Sequence, residues 1–243
     1  MAAGGTVADF SALIREVADF HGDLVRNIKG IRRSQDLFDD LSADPADRAV
    51  AVAAEAAGRL PTPAALITRP FDYGTVITYP YLPQNWQATR FSDGLSYGVW
   101  YGSLELQTTV YETAYHWYRF VTDSFGDEDR EIVGERRVLD VRCDAILLDL
   151  RGKERAVPGL IDRRDYAFTQ ALGRYLHVQS QNGLLVRSAR SAGHNAAILR
   201  PQVLSDVRDK CFLTYRMNPV HDEVSVERTP GRRWMRVRIA EVS

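Results

Sequence analysis

The distribution of β-rich segments constrains the fold of this chain more than any other feature of its sequence. Short runs of β-branched and aromatic residues recur at irregular intervals, and two longer helical patterns, near 104–120 and 165–179, interrupt them. Repeating βαβ units would space the strands more regularly, so this pattern favours an α+β fold over a doubly wound parallel sheet. The predicted strands span residues 75–79, 137–141, 145–149, 183–186, 196–199, 211–215 and 234–239.

The first sixty residues carry a different pattern, which predicts helices. Apolar residues three or four apart predict an amphipathic helix over residues 7–20, and two further helices are predicted at 34–41 and 47–60. The last of these ends before Pro61. We therefore expect a helical N-terminal region, residues 1–65, and a β-rich body that spans residues 66–243.

Composition and charge argue against several classes of protein. The formal net charge of -1 provides no broad basic surface for direct binding to nucleic acid. Charged residues such as Asp9 and Arg15 interrupt the first apolar stretch, so we predict neither a signal peptide nor a membrane span, and a cytoplasmic protein. Cys143 and Cys211 lack the spacing of metal ligands, so we predict neither a disulfide framework nor a metal site.

A glutamate and a histidine stand out in the first long helical pattern. Glu112 and His116 are four residues apart, so their side chains share one face of the predicted helix and can act on one ligand. In an arbitrary sequence such a pair is more often a solvated surface pair. Here, aromatic residues such as Tyr111 and Trp117 surround it and leave little of the helix to solvent.

An arginine and a group of aromatic residues precede this helix. Arg90 comes before a turn-like stretch that could place its guanidinium at the mouth of a pocket, although a lone arginine is more often on the surface. Tyr97, Trp100 and Tyr101 lie between glycines. Their rings suit stacking on a planar ligand, and they suit a packed core equally well.

A serine between arginines ends the strand predicted at 183–186. The hydroxyl of Ser188, with Arg187 and Arg190 beside it, can bind a phosphate or a ribose. A serine at the end of a strand can equally cap a turn. No GxSxG motif surrounds Ser188, so a serine-hydrolase nucleophile is not predicted.

The ordered set of Arg90, Tyr101, Glu112, His116 and Ser188 resembles the RES-domain family, which is named for its arginine, glutamate and serine. The likeness extends to the flanking residues over roughly 70–220. It implies an ADP-ribosyltransferase-like fold, with a mixed or antiparallel β core and flanking helices. It also implies an enzyme that breaks the nicotinamide–ribose bond of NAD+ and acts as the toxin of a bacterial toxin–antitoxin pair.

The resemblance assigns a role to each residue of the set. Glu112 would stabilise the positive charge that develops on the ribose. Arg90 would hold the pyrophosphate, and Tyr101 would contact the nicotinamide–ribose end. His116 would orient Glu112 or bind the ribose, and Ser188 would position a phosphate. The residues expected to bind NAD+ are Arg90, Tyr101, Ser188 and Arg190.

The acceptor and the partner are also expectations from the resemblance. ADP-ribose would pass to phosphate, to water or to a protein, which makes the chain an NAD+ phosphorylase, a glycohydrolase or a protein ADP-ribosyltransferase. NAD+ would be a substrate, with inorganic phosphate as a co-substrate of the phosphorylase and no resident cofactor. The partner would be a helix-turn-helix, Xre-type antitoxin, and the N-terminal helices could mediate a homodimer, antitoxin docking or self-inhibition. The contrasting hypothesis is a non-catalytic interaction module.

Overall fold

The computed structural model describes residues 10–11, 13–30, 50, 73–126 and 128–243. The fold is α+β, as the strand pattern predicts, and a large, mostly antiparallel sheet dominates it. The strands are β1 (Val17–Lys29), β2 (Ala88–Thr89), β3 (Ser92–Asp93), β4 (Trp100–Ser103), β5 (Ile132–Asp149), β6 (Gly183–Arg187), β7 (His194–Ile198), β8 (Leu204–Met217), β9 (Glu223–Thr229) and β10 (Arg232–Arg238). The helices are α1 (Tyr73–Thr78), α2 (Leu106–Phe125), α3 (Ala167–Val178) and α4 (Ile239–Val242).

Eight of these strands form one sheet, in the order β1-β4-β7-β6-β5-β8-β9-β10. Because β1 also pairs with β5, the strands β1, β4, β7, β6 and β5 close a ring of pairings. The pairing of β5 with β6 is parallel, and the other pairings are antiparallel. β2 and β3 form a separate two-stranded hairpin.

The long helix α2 forms because one of its faces is apolar. Val110, Ala114, Trp117 and Val121 follow each other at helical spacing, and all four are buried against residues of β1, β5, β8 and β9. The ring of Trp117 packs edge-on against Tyr215 of β8, with centroids 5.9 Å apart. This packing fixes the rotation of α2 and so decides where its remaining side chains lie.

The helix α3 covers a second part of the sheet. Leu172 and Leu176 pack with Leu184 and Val186 of β6, and Phe91 completes the cluster from the segment between β2 and β3. A third cluster lies on the opposite face of the five strands that close the ring. It contains Leu24, Trp100, Leu139, Leu147, Leu185 and Ile198. Among the described residues, no helix is long and apolar enough to cross a membrane.

The helix predicted over residues 7–20 is wrong for residues 17–20, which begin β1. β1 pairs with β5 along its whole length, from Val17 opposite Leu148 to Lys29 opposite Arg136. Ala18, Phe20 and Leu24 pack on the same cluster, which is the two-residue period of a strand. The neighbouring apolar residues masked that period. The helices predicted at 34–41 and, apart from Val50, at 47–60 lie outside the described residues.

Two further predictions need correction. Residues 75–79, predicted as a strand from their β-branched content, form most of α1 and enter a 3-10 turn at Tyr79–Tyr81. Here tertiary contacts outweigh β propensity, because the Val76 side chain is buried and its carbonyl accepts the indole N–H of Trp100. The strands predicted at 137–141 and 145–149 are one continuous strand, β5.

Candidate active site

A cavity of about 640 Å³ lies beside α2, β1 and β4. This volume is within the range of small-molecule binding sites. Arg90, Tyr101, Glu112 and His116 all line it, so the structure brings together four of the five residues in the ordered set. The fifth, Ser188, lies behind Glu112 and reaches the site through it.

The carboxylate of Glu112 is held in place through one of its oxygens. Oε1 accepts hydrogen bonds from Ser188 Oγ and from Asn195 Nδ2, each at 2.7 Å. The hydroxyl of Ser103 donates to Asn195 Oδ1 at 2.7 Å, which fixes the orientation of that amide. Among the described residues, none donates a hydrogen bond to Glu112 Oε2. One oxygen is therefore anchored by the protein, and the other is available to a ligand.

Ser188 is almost fully buried, with 2% of its surface exposed. Its Oγ accepts the backbone N–H groups of Arg190 and Ser191, each at 3.0 Å, while its hydroxyl proton goes to Glu112. The serine therefore caps the turn after β6, which is one of the two interpretations that its sequence allowed. Its effect on the cavity is therefore indirect, because it fixes the position of the Glu112 carboxylate.

Arg90 is fixed on the wall of the cavity. Its Nη1 donates to the backbone carbonyl of Asp162 at 2.7 Å, and its guanidinium lies 4.6 Å from the centre of the Tyr166 ring. Burial lowers the pKa of Arg90, but an arginine stays protonated at neutral pH. This leaves a positioned cation with further N–H groups for an anion.

Tyr101 is the one aromatic residue of the Tyr97, Trp100 and Tyr101 group that lines the cavity. Its hydroxyl lies 2.8 Å from Thr89 Oγ1 and accepts the N–H of Phe91 at 2.9 Å. Burial raises the pKa of Tyr101 to about 12, so the phenol stays neutral. Tyr97 and Trp100 are buried core residues, 3% and 0% exposed, and cannot stack on a ligand.

His116 lies at the rim of the cavity, one helical turn after Glu112. Partial desolvation of the ring at the cavity rim lowers its pKa, and the nearby Arg190 and Arg90 lower it further, whereas Glu112 opposes the shift. The imidazole is therefore neutral at pH 7, with one nitrogen to donate and one to accept a hydrogen bond.

Arg190, predicted to bind NAD+, lies elsewhere. It is 3% exposed and does not line the cavity. Its Nη1 and Nη2 donate to the carbonyls of Val242 and Arg163, at 2.7 and 2.8 Å, and its guanidinium lies 3.6 Å from the centre of the Tyr115 ring. These contacts occupy the side chain within the protein.

Sequence reasoning missed most of the charge that surrounds the cavity. Among its described lining residues, Glu112 is the only carboxylate, and the cations are Arg26, Lys29, Arg90, Arg136 and Arg187. Such a cavity favours an anionic ligand that has one locally cationic group. Arg26 and Lys29 belong to β1, in the stretch where no strand was predicted, and Asn195 of β7 lies one residue before the strand predicted at 196–199.

Contacts within the protein also hold Arg26 in place. Its Nη1 donates to the Tyr101 carbonyl at 2.5 Å, and its guanidinium lies 5.1 Å from the centre of the Trp100 ring. Burial lowers its pKa to about 10, which still leaves it charged at pH 7. Its Nε, like that of Arg136, is buried without a hydrogen-bond partner among the described residues. An unpaired buried donor is costly, and both guanidinium groups therefore keep unused hydrogen-bonding capacity beside the cavity.

Comparison with known proteins identifies the family. The model of a family described as the RES domain matches residues 57–218. The chain belongs to the RES-domain family. The matched range of this RES domain includes Arg90, Glu112 and Ser188, so the resemblance seen in the sequence is confirmed.

The RES domain is also similar to a solved structure. A chain of the crystal structure of the M. tuberculosis MbcT–MbcA toxin–antitoxin complex is similar to it, at 13% sequence identity and a TM-score of 0.44. The similarity covers 84% of this chain and 87% of that chain. None of the curated proteins matches it.

Proposed function

We propose that this RES domain cleaves the nicotinamide–ribose bond of NAD+ and passes the ADP-ribose to phosphate or water. Membership of the family supports the proposal, and one observation carries it. Glu112, the only carboxylate among the described lining residues of a cationic cavity, is anchored through Oε1 by Ser188 and Asn195. NAD+ has the matching charges, since its anionic pyrophosphate is joined to a locally cationic nicotinamide ribose.

Glu112 would supply the electrostatic stabilisation. As the glycosidic bond breaks, its electron pair leaves with nicotinamide, which departs as a neutral molecule and needs no proton. Positive charge develops on the ribose, and an anionic oxygen at that position lowers the barrier. A carboxylate that is already oriented stabilises this charge without reorganising, and the two hydrogen bonds on Oε1 provide that orientation.

The other lining residues would bind the substrate. Arg90 and Arg26 present guanidinium N–H groups that suit the paired oxygens of a pyrophosphate. The ring of Tyr101 would pack against the nicotinamide–ribose end. Neutral His116 would hydrogen-bond a ribose hydroxyl. In this proposal Ser188 positions Glu112 and does not contact a phosphate, which differs from the role that the resemblance implied.

A pair of cations supports phosphate as the acceptor. Lys29 of β1 lies directly opposite Arg136 of β5, and both side chains line the cavity. Cross-strand neighbours of like charge repel each other unless an anion lies between them. Inorganic phosphate would neutralise the pair, and attack of one of its oxygens on the ribose would yield ADP-ribose 1-phosphate. Attack by water would yield ADP-ribose.

We also propose that an antitoxin neutralises the RES domain. The support is membership of the family, whose toxins are paired with helix-turn-helix antitoxins. The catalytic residues line a cavity that opens to solvent, so a partner that covers its rim near Phe120 would exclude NAD+.

A product assay with purified protein tests the function. Incubation with NAD+, with and without phosphate, should release nicotinamide, and mass spectrometry of the second product distinguishes ADP-ribose 1-phosphate from ADP-ribose. No release of nicotinamide under either condition would contradict the proposal. If label from NAD+ instead appeared on proteins of a host lysate, the protein ADP-ribosyltransferase alternative would replace it.

A further inference from the structure

Two arginines behind the cavity bridge segments that are far apart in the chain. Arg190 donates to the carbonyls of Val242, in α4, and of Arg163, at 2.7 and 2.8 Å. Arg163 in turn donates from Nε to the carbonyl of Ala189 at 3.0 Å and from Nη1 to the carbonyl of Ser243 at 2.7 Å. The two side chains thus tie the turn after β6 to the segment around residue 163 and to the C-terminal helix.

The segment around residue 163 also holds Arg90. The carbonyl of Asp162, one residue before Arg163, accepts the Arg90 guanidinium at 2.7 Å. A displacement of this segment would therefore move the residue that we assign to the pyrophosphate. Arg163 keeps the backbone on which Arg90 depends close to the turn after β6.

The turn after β6 controls Glu112. The backbone N–H of Arg190 donates to Ser188 Oγ, and the Ser188 hydroxyl donates to Glu112. The turn has little freedom on its other side, because a Cβ on Gly193 would lie 1.9 Å from Thr108 Oγ1 of α2. The position of Ser188, and through it that of Glu112, therefore depends on where Arg190 holds this turn.

Arg190 also contacts the helix that carries Glu112. Its guanidinium lies 3.6 Å from the centre of the Tyr115 ring, three residues after Glu112 on α2. A guanidinium stacked on a ring at this distance gains both cation–π attraction and packing. Arg190 thus belongs to the turn that anchors Glu112, and its buried side chain contacts the helix that carries Glu112 and the segment that anchors Arg90.

We propose that Arg190 and Arg163 are positioning residues. They keep the side of the cavity that carries Glu112 at a fixed distance and orientation from the side that carries Arg90. The catalytic meaning of this inference rests on the proposed function. A ligand role for Arg190 is the competing account. The 3% exposure of the residue and its two backbone acceptors leave a ligand no access to it.

The test replaces Arg190 with methionine, which keeps apolar bulk on Tyr115 but removes the charge and the donors. We expect kcat for NAD+ cleavage to fall by about tenfold to a hundredfold, because a misplacement of ~1 Å can cost about 10²-fold in rate. KM should rise by less than kcat falls, because the segment that holds Arg90 is displaced but no substrate contact is removed. Arg190→Lys, which retains one donor group and the charge, should recover part of the rate. Arg164→Met, at an exposed neighbouring arginine, is the matched control and should leave both constants unchanged.

A second readout does not depend on activity. In Arg190→Met, amide hydrogen exchange should rise in peptides that cover residues 186–195 and 239–243, and remain unchanged in β8 (204–217). Faster exchange with no NAD+ cleavage by the wild type would sustain the positioning role and remove the proposed function. Unchanged exchange, or a raised KM with unchanged kcat, would overturn the inference. If Arg190→Met does not fold, Arg190→Lys and Arg163→Lys provide the same comparison.

Discussion

Ser188 Oγ lies 2.7 Å from Glu112 Oε1, although the two residues are 76 positions apart in the chain. The serine is buried behind the carboxylate, and its own oxygen accepts two backbone N–H groups of the turn after β6. The turn is therefore linked to the carboxylate by a single hydroxyl group. The serine therefore holds the carboxylate from behind and does not itself line the cavity.

Replacement of Ser188 with alanine should lower kcat and leave KM nearly unchanged. The change removes one of the two donors to Glu112 Oε1, so the carboxylate is less well oriented. We expect a loss of about tenfold in kcat and of about 2–3 kcal/mol in the free energy of unfolding, because three hydrogen bonds of roughly 1 kcal/mol each are lost. Steady-state kinetics and urea unfolding measure both. Ser205→Ala, at an exposed serine of β8, is the control. An increase in KM alone would indicate that Ser188 contacts the substrate.

Replacement of Arg26 with methionine should weaken binding of NAD+ without destabilising the fold. Arg26 is a buried cation whose Nε lacks a partner among the described residues, and methionine keeps the contact with Trp100. We expect an unchanged or higher melting temperature. KM should rise by about tenfold or more, because a hydrogen bond to a charged group contributes about 1.5–3 kcal/mol. Arg232→Met, at an exposed arginine of β10, controls for loss of charge. A lower melting temperature with an unchanged KM would contradict this prediction.

The activity should lose its acid limb when His116 is replaced with glutamine. Partial desolvation and the nearby arginines lower the pKa of His116 below 6.5, so the neutral ring predominates at pH 7 and above. We expect kcat/KM to be level from pH 7 to about 8.5 and to fall only below pH 6.5, as the ring takes up a proton. A pH–rate profile of the wild type and of His116→Gln measures this. An acid limb centred above pH 6.5, or one that persists in the variant, would count against a role for the neutral imidazole.

The lowered pKa of His116 also makes the stability of the folded protein depend on pH. Because the folded-state pKa of His116 lies below the unfolded value, protonation favours the unfolded state. The wild type should therefore lose stability relative to His116→Gln as the pH falls through 6.5. Above that pH the contribution of this group disappears, since the ring is neutral in both states.

The sequence predicted the parts of the fold in which local pattern and tertiary packing agree. The helix α2 carries a continuous apolar face, so its position was evident from the spacing of residues such as Val110 and Ala114. The strand β1 was missed because its cluster-facing residues are interspersed with other apolar ones. Its identity depends on pairing with β5, more than a hundred residues away, and local periodicity does not reveal such pairing.

The candidate site was predictable to the extent that its residues are close in sequence or share a family motif. Glu112 and His116 follow from helical spacing, and Arg90 and Tyr101 from their order along the chain. Asn195 and Arg26 were missed because each reaches the cavity through strand pairing and carries no distinctive local signal. The prediction that Arg190 binds NAD+ failed because closeness in sequence to Ser188 does not fix the direction of its side chain. Ser188 points toward Glu112, whereas the Arg190 side chain turns toward Tyr115.

The most direct test of this account is the rate of nicotinamide release from NAD+ by the wild type and by Glu112→Gln, measured at equal folded concentration. Glutamine retains the shape and an oxygen acceptor for Ser188 but has no negative charge to stabilise the ribose cation. Glu128→Gln, at an exposed glutamate, is the matched control. We predict a wild-type rate well above background, retained by the control and lowered by at least about a hundredfold in Glu112→Gln. Equal rates in the wild type and Glu112→Gln, or no release by either, would contradict the account.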